Sequence, residues 1–507
     1  MHRHRLPLVA AVLLPAFPLF AQAEPARFTN RAVDLDSGYL TNAGAQTQEL
    51  AVGTVRVAQA AWLRLHFAQT NLPAGTRLRL QAQRDQAVQW FDAGSLADYR
   101  DGSAYFNGDA VEVRVILPAR TTGCRVRVVS ADCGEPAQIG IGPSSICGPT
   151  DDRQLSSDPR QGRQYPTGCS SWLVNEFTVL TAGHCTGTTV QQIHFNVPLS
   201  SSSGGTILPP PQDQYPYDLA TQQRLSGGVG QDWTVVTTVR NSNTRMYPGQ
   251  RQGAWYELGA VPGSPTGQNI RITGYGTVSA PVSPTWNQVQ KTHLGPMVAQ
   301  SATYPTAIGY VTDSTGGNSG SPIIHENTGK AVGIHTHGGC SSTGGNNWGT
   351  RIDRPDIQSS VASRLLLKSA GKWSTIGNSC PGSTGAPGLA GSGYPDLGFT
   401  PKAMVSAARP NQAGVLFFGA SNTQWGSIVL PFDLGGVGMP GCKQYVSLDV
   451  SVPLATGVAG SPSYSFPVPN DPALRGGRFH LQYVFADAGA NALGLVATNG
   501  LTGLVGD

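Results

Sequence analysis

Beyond residue 23 no apolar stretch of this chain runs far before a glycine or a proline interrupts it. Glycine occurs 64 times and proline 37 times in 507 residues. Short apolar runs closed by such residues build strands and turns rather than long helices. Residues 61–67 (AWLRLHF) alternate imperfectly, whereas 76–81 (TRLRLQ) and 111–115 (VEVRV) alternate cleanly, with the turn-like Pro73-Ala74-Gly75 between the first two. No uncharged apolar run after residue 23 approaches the ~20 residues that a membrane helix needs. Charged residues are only 13% of the chain, but 39% are hydrophobic, enough to build cores and to argue against wholesale disorder. Thirty-four basic against thirty acidic residues leave +4, which excludes a nucleic-acid partner recognised through charge.

Residues 1–23 read as an export signal. Arg3 and Arg5 form a basic start, 6–20 is apolar apart from prolines at 7, 15 and 18, and Ala21-Gln22-Ala23 supplies a small-x-small cleavage site. The prolines and the short span argue against a retained anchor, so the expectation is a secreted or periplasmic protein cut near Ala23. Eight cysteines (124, 133, 147, 169, 185, 340, 380, 442) then lie where disulfides persist. The chain divides into an N-terminal β-sandwich (27–140), a Gly/Ser/Thr-rich region (147–380), a linker (381–394) containing Pro381-Gly382-Ser383-Thr384-Gly385, and a C-terminal β-domain (395–507). The best short helix is 361–368 (VASRLLLK), and no repeat of fixed period is present.

The chemistry gathers in the middle region. Leu180-Thr181-Ala182-Gly183-His184-Cys185 is followed by Gly230-Gln231-Asp232-Trp233 and then by Asp313-Ser314-Thr315-Gly316-Gly317-Asn318-Ser319-Gly320-Ser321-Pro322. At these residues the chain resembles the chymotrypsin/trypsin-like serine endopeptidases, and more closely the bacterial branch that includes the glutamyl endopeptidases. The order His, Asp, Ser is that of the chymotrypsin fold. The resemblance covers about 168–352. It implies a double β-barrel protease there; with the strand patterns on either side, the expectation is a mostly β chain in which that protease is flanked by two β-sandwich-like domains. A serine hydroxyl is a weak nucleophile until a base accepts its proton; His184 can take that proton and return it to the leaving amine. Asp232, 48 residues after His184 and 87 before Ser319, would hold the other ring nitrogen. It leads into the strand-like Trp233-Thr234-Val235-Val236; Asp218 is a weaker rival without that apolar continuation. The N–H groups of Gly317 and Ser319 would form the oxyanion hole.

In trypsin-like zymogens the residue before the nucleophile is an aspartate that pairs with a newly cut amino terminus. Here it is Asn318, so that ion-pair switch is absent, and the oxyanion hole is expected to form without cutting at an activation site. The resemblance implies a Cys169–Cys185 bridge beside His184, a loop worth about 3 kcal/mol on a chain-entropy count. Proximity suggests Cys124–Cys133, and Cys380 with Cys442 flank or lie within the C-terminal domain. Elimination leaves Cys147–Cys340, although eight cysteines allow about 105 pairings.

The substrate side is divided. In glutamyl endopeptidases a histidine in the strand after the nucleophile, with a hydroxyl residue shortly before it, recognises a substrate carboxylate; His335 and Ser314 match these positions, and both can donate hydrogen bonds. Asp313, however, stands where trypsin-like enzymes carry the negative floor of an Arg/Lys pocket, and would repel an acidic side chain unless turned away or paired. The expected protein hydrolyses protein or peptide substrates without a cofactor or metal, favouring acidic residues before the cut. The alternatives are Arg/Lys specificity and an inactive homologue serving as a secreted binding or adhesion module. The outer domains could bind a surface or a polymer, for example through Trp425, for which core packing is the plainer role.

Overall fold

A computed structural model describes residues 20–21, 23–136, 144–189, 191–298 and 303–507. Most of the expected export signal lies outside these. The chain forms two compact units, 1–364 and 365–507.

In the first unit the alternating segments become a two-layer sandwich. One sheet orders strands Phe28–Asp36, Arg127–Gly134, Trp62–Phe67 and Phe106–Asn107; the other orders Gln48–Arg56, Ala110–Leu117, Arg77–Ala82 and Val88–Phe91. Leu63, Leu65, Phe67, Val128 and Ala131 from the first sheet meet Leu78, Leu80, Val111, Val113 and Val115 from the second in one buried core. The period-two pattern at 76–81 therefore marks a strand with one face buried. The imperfect one at 61–67 has a reason: Arg64, at a core-like position and 6% exposed, donates to the Ser103 carbonyl and the Tyr105 hydroxyl.

The sandwich continues into a closed six-stranded barrel of Gln161–Tyr165, Cys169–Leu173, Thr178–Thr181, Asp232–Thr238, Gln214–Ser226 and Gln192–His194. Trp62 and Tyr105 from the sandwich pack edge-on against Tyr165 and Leu208, and Gln214 bonds both the N–H and the carbonyl of Tyr105. Such dry aromatic packing makes sandwich and barrel one body.

A second ring runs Lys291–Pro296, Asn269–Gly274, Pro322–His325, Lys330–Gly338, Asn347–Arg351 and Ala307–Tyr310. A bridge between Met297 and Tyr310 closes it, with Val298 N–H on the Gly309 carbonyl and Val311 N–H on the Pro296 carbonyl. The helix expected at 361–368 spans Pro355–Leu367, starting earlier because Pro355 opens it and Ile357, Ser360 and Arg364 face inward.

The second unit carries the sheet Lys372–Ile376, Gly500–Leu504, Arg478–Ala486, Gly414–Gly419 and Val450–Pro453, beside a three-stranded sheet of Gly388–Ser392, Lys402–Ser406 and Ser463–Ser465. The stretch 381–394 read as a linker is thus in part a strand, and the division falls after Arg364 rather than at 381. Lys372–Ile376, paired along its length with Gly500–Leu504, already commits the chain to this unit. Trp425 sits half-exposed on the two-stranded pairing of Gln424–Trp425 with Ile428–Val429, outside the core. Among the described residues no helix is long and apolar enough to cross a membrane.

Disulfides join Cys147–Cys340, Cys169–Cys185 and Cys380–Cys442. The expected Cys124–Cys133 bridge is absent, and both are free thiols. Cys124 pairs with Leu40, whereas Cys133 lies seven residues into strand Arg127–Gly134, opposite Leu63. At ~3.3 Å per residue the strand carries the second sulfur about 20 Å along the sheet, far beyond the ~7 Å limit on Cα separation for a bridge. Both thiols are buried, and burial pushes Cys124 up to about 11. Alkylation under non-reducing conditions should label neither in the native protein and two per chain after unfolding; mass spectrometry that finds none after unfolding would refute the assignment.

Candidate active site

The two rings meet at the residues that the motifs singled out. His184 lies in a single 3-10 turn, Gly183–Cys185, just beyond strand Thr178–Thr181. That strand pairs with Asp232–Thr238, which places Asp232 at the strand end nearest the turn. The Asp232 carboxylate grips the turn twice: Oδ1 accepts the His184 N–H at 2.9 Å and Oδ2 lies 2.5 Å from His184 Nδ1. Thr350 Oγ1 holds the Asp232 main chain, accepting from its N–H and donating to its carbonyl. Gly183 is required here, since a Cβ would lie 1.8 Å from the Leu225 carbonyl oxygen. Asp218 pairs with Thr237 at the far end of the same strand, and its Oδ1 caps Ala220 N–H. It is not brought to His184.

Ser319 is buried on a loop with almost no regular structure, so other segments hold it. Ser170, beside the Cys169–Cys185 bridge, donates its N–H to the Ser319 carbonyl and its hydroxyl to the Gly317 carbonyl, each at 2.8 Å. The bridge and these bonds couple the Ser319 loop to the His184 turn. Gly320 N–H meets the His335 carbonyl, and His335 N–H meets the Ser321 carbonyl, zipping the loop to strand Lys330–Gly338. Gly317 has φ +98°, and a Cβ there would lie 2.5 Å from the Tyr275 carbonyl. The turn therefore excludes other residues at 317 on two counts. Ser319 Oγ donates to the Thr336 carbonyl at 3.2 Å, and His184 Nε2 is buried with no hydrogen-bond partner.

Arg153 is a residue of this site that sequence reasoning missed. It is 3% exposed and lies against Asn318. Its guanidinium donates to Thr315 Oγ1 (2.7 Å), Asn318 Oδ1 (3.2 Å) and the Thr277 carbonyl (2.9 Å). It also makes a two-pronged pair with Asp151, at 2.8 and 2.6 Å. A buried cation is tolerated only when its donors are satisfied. Here it arrives from the uncut chain and sets the side chain before Ser319. A lone arginine in a loop carries no motif, which is why it was overlooked.

The expected pocket residues divide by environment. Asp313 is spent on structure: its oxygens accept the Cys147 and Asp152 N–H groups, each at 2.8 Å, and His293 Nδ1 lies 3.5 Å away. Burial pushes its carboxyl upward against the opposing pull of those N–H groups. Ser314 Oγ accepts from Asn347 Nδ2 at 3.0 Å, and Asn347 Oδ1 in turn takes Ser145 Oγ and the Gly339 N–H. Asn347, a second residue without a sequence signal, thereby ties Ser314 to the end of the strand that bears His335. His335 is fully buried with Nδ1 2.5 Å from the Tyr310 hydroxyl, and burial, helped by nearby His337 and His184, pushes it down to about 3. His337 is half-buried, its ring 6.1 Å from that of His184.

The trypsin family model matches residues 149–355. This stretch is a trypsin-like serine protease domain. Among curated relatives, the chain is 28% identical to a glutamyl endopeptidase of Bacillus licheniformis over 37% of its own length and 56% of the relative's. It is 27% identical to an extracellular metalloprotease of Bacillus subtilis over 41% of its length and 66% of the relative's. The chain thus spans under two thirds of either relative. Solved structures that resemble it include the thermostable serine protease AL20 from an extremophilic microorganism (18% identity, TM-score 0.32, 41% of this chain and 98% of that one). Another is mouse neuropsin (16%, 0.31, 43% and 100%). Histidine and sulfur do come together at Cys169, His184 and Cys185, but both sulfurs are in a disulfide and His184 Nδ1 is held by Asp232, so this set does not fit a metal.

Two outcomes test this site. Arg153→Met leaves the half-buried Asp151 without its cation and Thr315, Asn318 and the Thr277 carbonyl without their donor, and unfolding in denaturant should show a loss of about 1–3 kcal/mol. Adding Asp151→Asn should recover much of the stability but not the rate at which a fluorophosphonate labels Ser319, because Asn318 still lacks its donor. Second, the fold binds neutral His335, so its contribution is complete above the unfolded value near ~6.5 and is lost as pH falls through that window toward about 3. His335→Gln should flatten the fall of stability across that window by up to about one proton in its slope.

Proposed function

We propose that the protein is an exported serine endopeptidase in which Ser319 is the nucleophile, His184 the general base and Asp232 the group that orients it. The observation that carries this reading is the double grip of one buried carboxylate on the His184 N–H and Nδ1, with Nε2 left unpartnered beside the Ser319 loop. A carboxylate on Nδ1 selects the tautomer with a bare Nε2 and stabilises the imidazolium once it forms. For proton transfer Ser319 Oγ leaves the Thr336 carbonyl for Nε2. Attack on a substrate carbonyl passes the Oγ proton to His184, and the oxyanion is met by the Gly317 and Ser319 N–H groups. Collapse returns the proton to the leaving amine, and water repeats the sequence to release the acid. No step calls for a cofactor. The three disulfides and the name of the extracellular relative support export.

Acidic side chains fit the pocket better than basic ones. An Arg/Lys pocket needs an available carboxylate, and that of Asp313 is taken by two N–H groups. His335 is kept neutral by burial, and in the tautomer whose Nδ1 accepts from the Tyr310 hydroxyl its proton is on Nε2. It offers that N–H, and Ser314 its hydroxyl, to a carboxylate. An inactive binding module has no use for the grip on His184.

Ser319→Ala should abolish fluorophosphonate labelling and reduce kcat by at least about 10⁴-fold, and Asp232→Asn should reduce kcat by about 10⁴-fold. Mass-spectrometric mapping of cuts in a denatured protein mixture should show cleavage after Glu and Asp. Cuts confined to Arg and Lys would overturn the pocket assignment and leave the nucleophile intact.

A further inference from the structure

The groove beside Ser319 is lined by this chain's own N-terminal residues. On one flank, Phe20–Ala21 adds to the edge of strand Lys330–Gly338 in antiparallel register, Phe20 opposite Gly338 and Ala21 opposite His337. This is one residue beyond Thr336, whose carbonyl takes the Ser319 hydroxyl. On the other flank, Ala23 packs against Cys169, Ala182 and Cys185. Glu24 N–H then donates to the Gly168 carbonyl and Ala26 N–H to the Pro166 carbonyl, each at 2.8 Å. Ser170, two residues beyond Gly168, holds the Ser319 carbonyl. The two seated pieces therefore straddle Ser319.

The second flank is a fitted seat. Donors at residues 24 and 26 alternate as in an antiparallel ladder, and the residue between them, Pro25, has no N–H to satisfy. Gln288 Nε2 donates to the Glu24 carbonyl at 3.1 Å. At Gly168, φ is +64° and a Cβ would lie 1.6 Å from the Glu24 carbonyl oxygen, so only glycine lets the segment approach. Burial also pushes the Glu24 carboxyl upward. Beyond it the chain is anchored: Glu135 N–H holds the Arg27 carbonyl, and Phe28–Asp36 is a strand of the sandwich.

We propose that Glu24–Ala26 is the resident occupant of the leaving-group side of the substrate groove, lying there on the Pro166 and Gly168 carbonyls and Gln288 in place of a substrate. This rests on Ser319 being the nucleophile. A cut anywhere between Ala21 and Glu24, including one near Ala23 during export, leaves Glu24–Ala26 tethered at high effective concentration. Removing the leader does not by itself vacate the groove, and the tethered segment competes with substrates that extend past the cut.

The test compares the full exported chain with Ala26→Pro, which removes one main-chain donor from the segment, and with a chain lacking residues 24–26. Two substrates are used: a quenched peptide with four residues beyond the cut, and an ester with none. Fluorophosphonate titration first counts working Ser319 in each protein; failure to label in the wild-type chain would remove the nucleophile assignment itself and separates that failure from this one. With equal titres, both variants should lower KM for the long peptide about tenfold with kcat little changed, and shift the ester by less than twofold. Free Ala-Glu-Pro-Ala-Arg amide should inhibit the shortened chain at least tenfold better than the wild type. Unchanged KM for the long peptide, equal shifts for both substrates, or equal inhibition of both chains would each overturn the proposal.

Discussion

A buried guanidinium shapes the loop on which Ser319 sits. Nothing in residues 313–321 could hold that loop alone: it carries two glycines at positive φ and almost no ladder hydrogen bonds. Arg153 cannot be buried unless acceptors surround it, and the acceptors available are Asp151, Thr277, Thr315 and Asn318. Satisfying the charge therefore draws three separate segments together and fixes Asn318, and with it the backbone on either side of Gly317 and Ser319. Asn318, the residue before Ser319, is thus held by a charge from elsewhere in the same chain.

The remainder of the site follows the same economy, one group serving two segments. Asp232 holds both the main chain and the ring of His184. Ser170 holds both the Gly317 and Ser319 carbonyls. Asn347 joins Ser314 to the strand that carries His335. Asp313 links the main chain at Cys147 and Asp152, next to the Cys147–Cys340 bridge.

Legibility differed with the kind of signal. The meeting of Asp232 with His184, and of the His184 turn with the Ser319 loop, was legible because each lies in a short run whose neighbours serve it: glycines where the backbone must bend, and a strand-forming run after the aspartate. The alternating segments of the sandwich were readable because one face of each is buried. Arg64, Arg153 and Asn347 were not readable, since a buried polar residue looks like a surface one until its partners are known. Cys124 and Cys133 misled because nearness along the chain says little once a strand carries the second residue away. The stretch 381–394 looked like a tether from its glycines and prolines, yet strand Gly388–Ser392 pairs with Lys402–Ser406.

By itself the sequence determined the β-rich class, the order of the His184, Asp232 and Ser319 motifs, and the glycines that allow the Ser319 turn, because these depend on residues close together in the chain. Only the tertiary structure decided which charges are neutralised, which cysteines meet, and what lies in the groove. Those outcomes depend on acceptors far apart in sequence: Arg153 reaches 124, 162 and 165 residues ahead for three of its bonds. Gln288 reaches back 264 residues to the Glu24 carbonyl. Burial makes such bonds obligatory, and no local pattern records them.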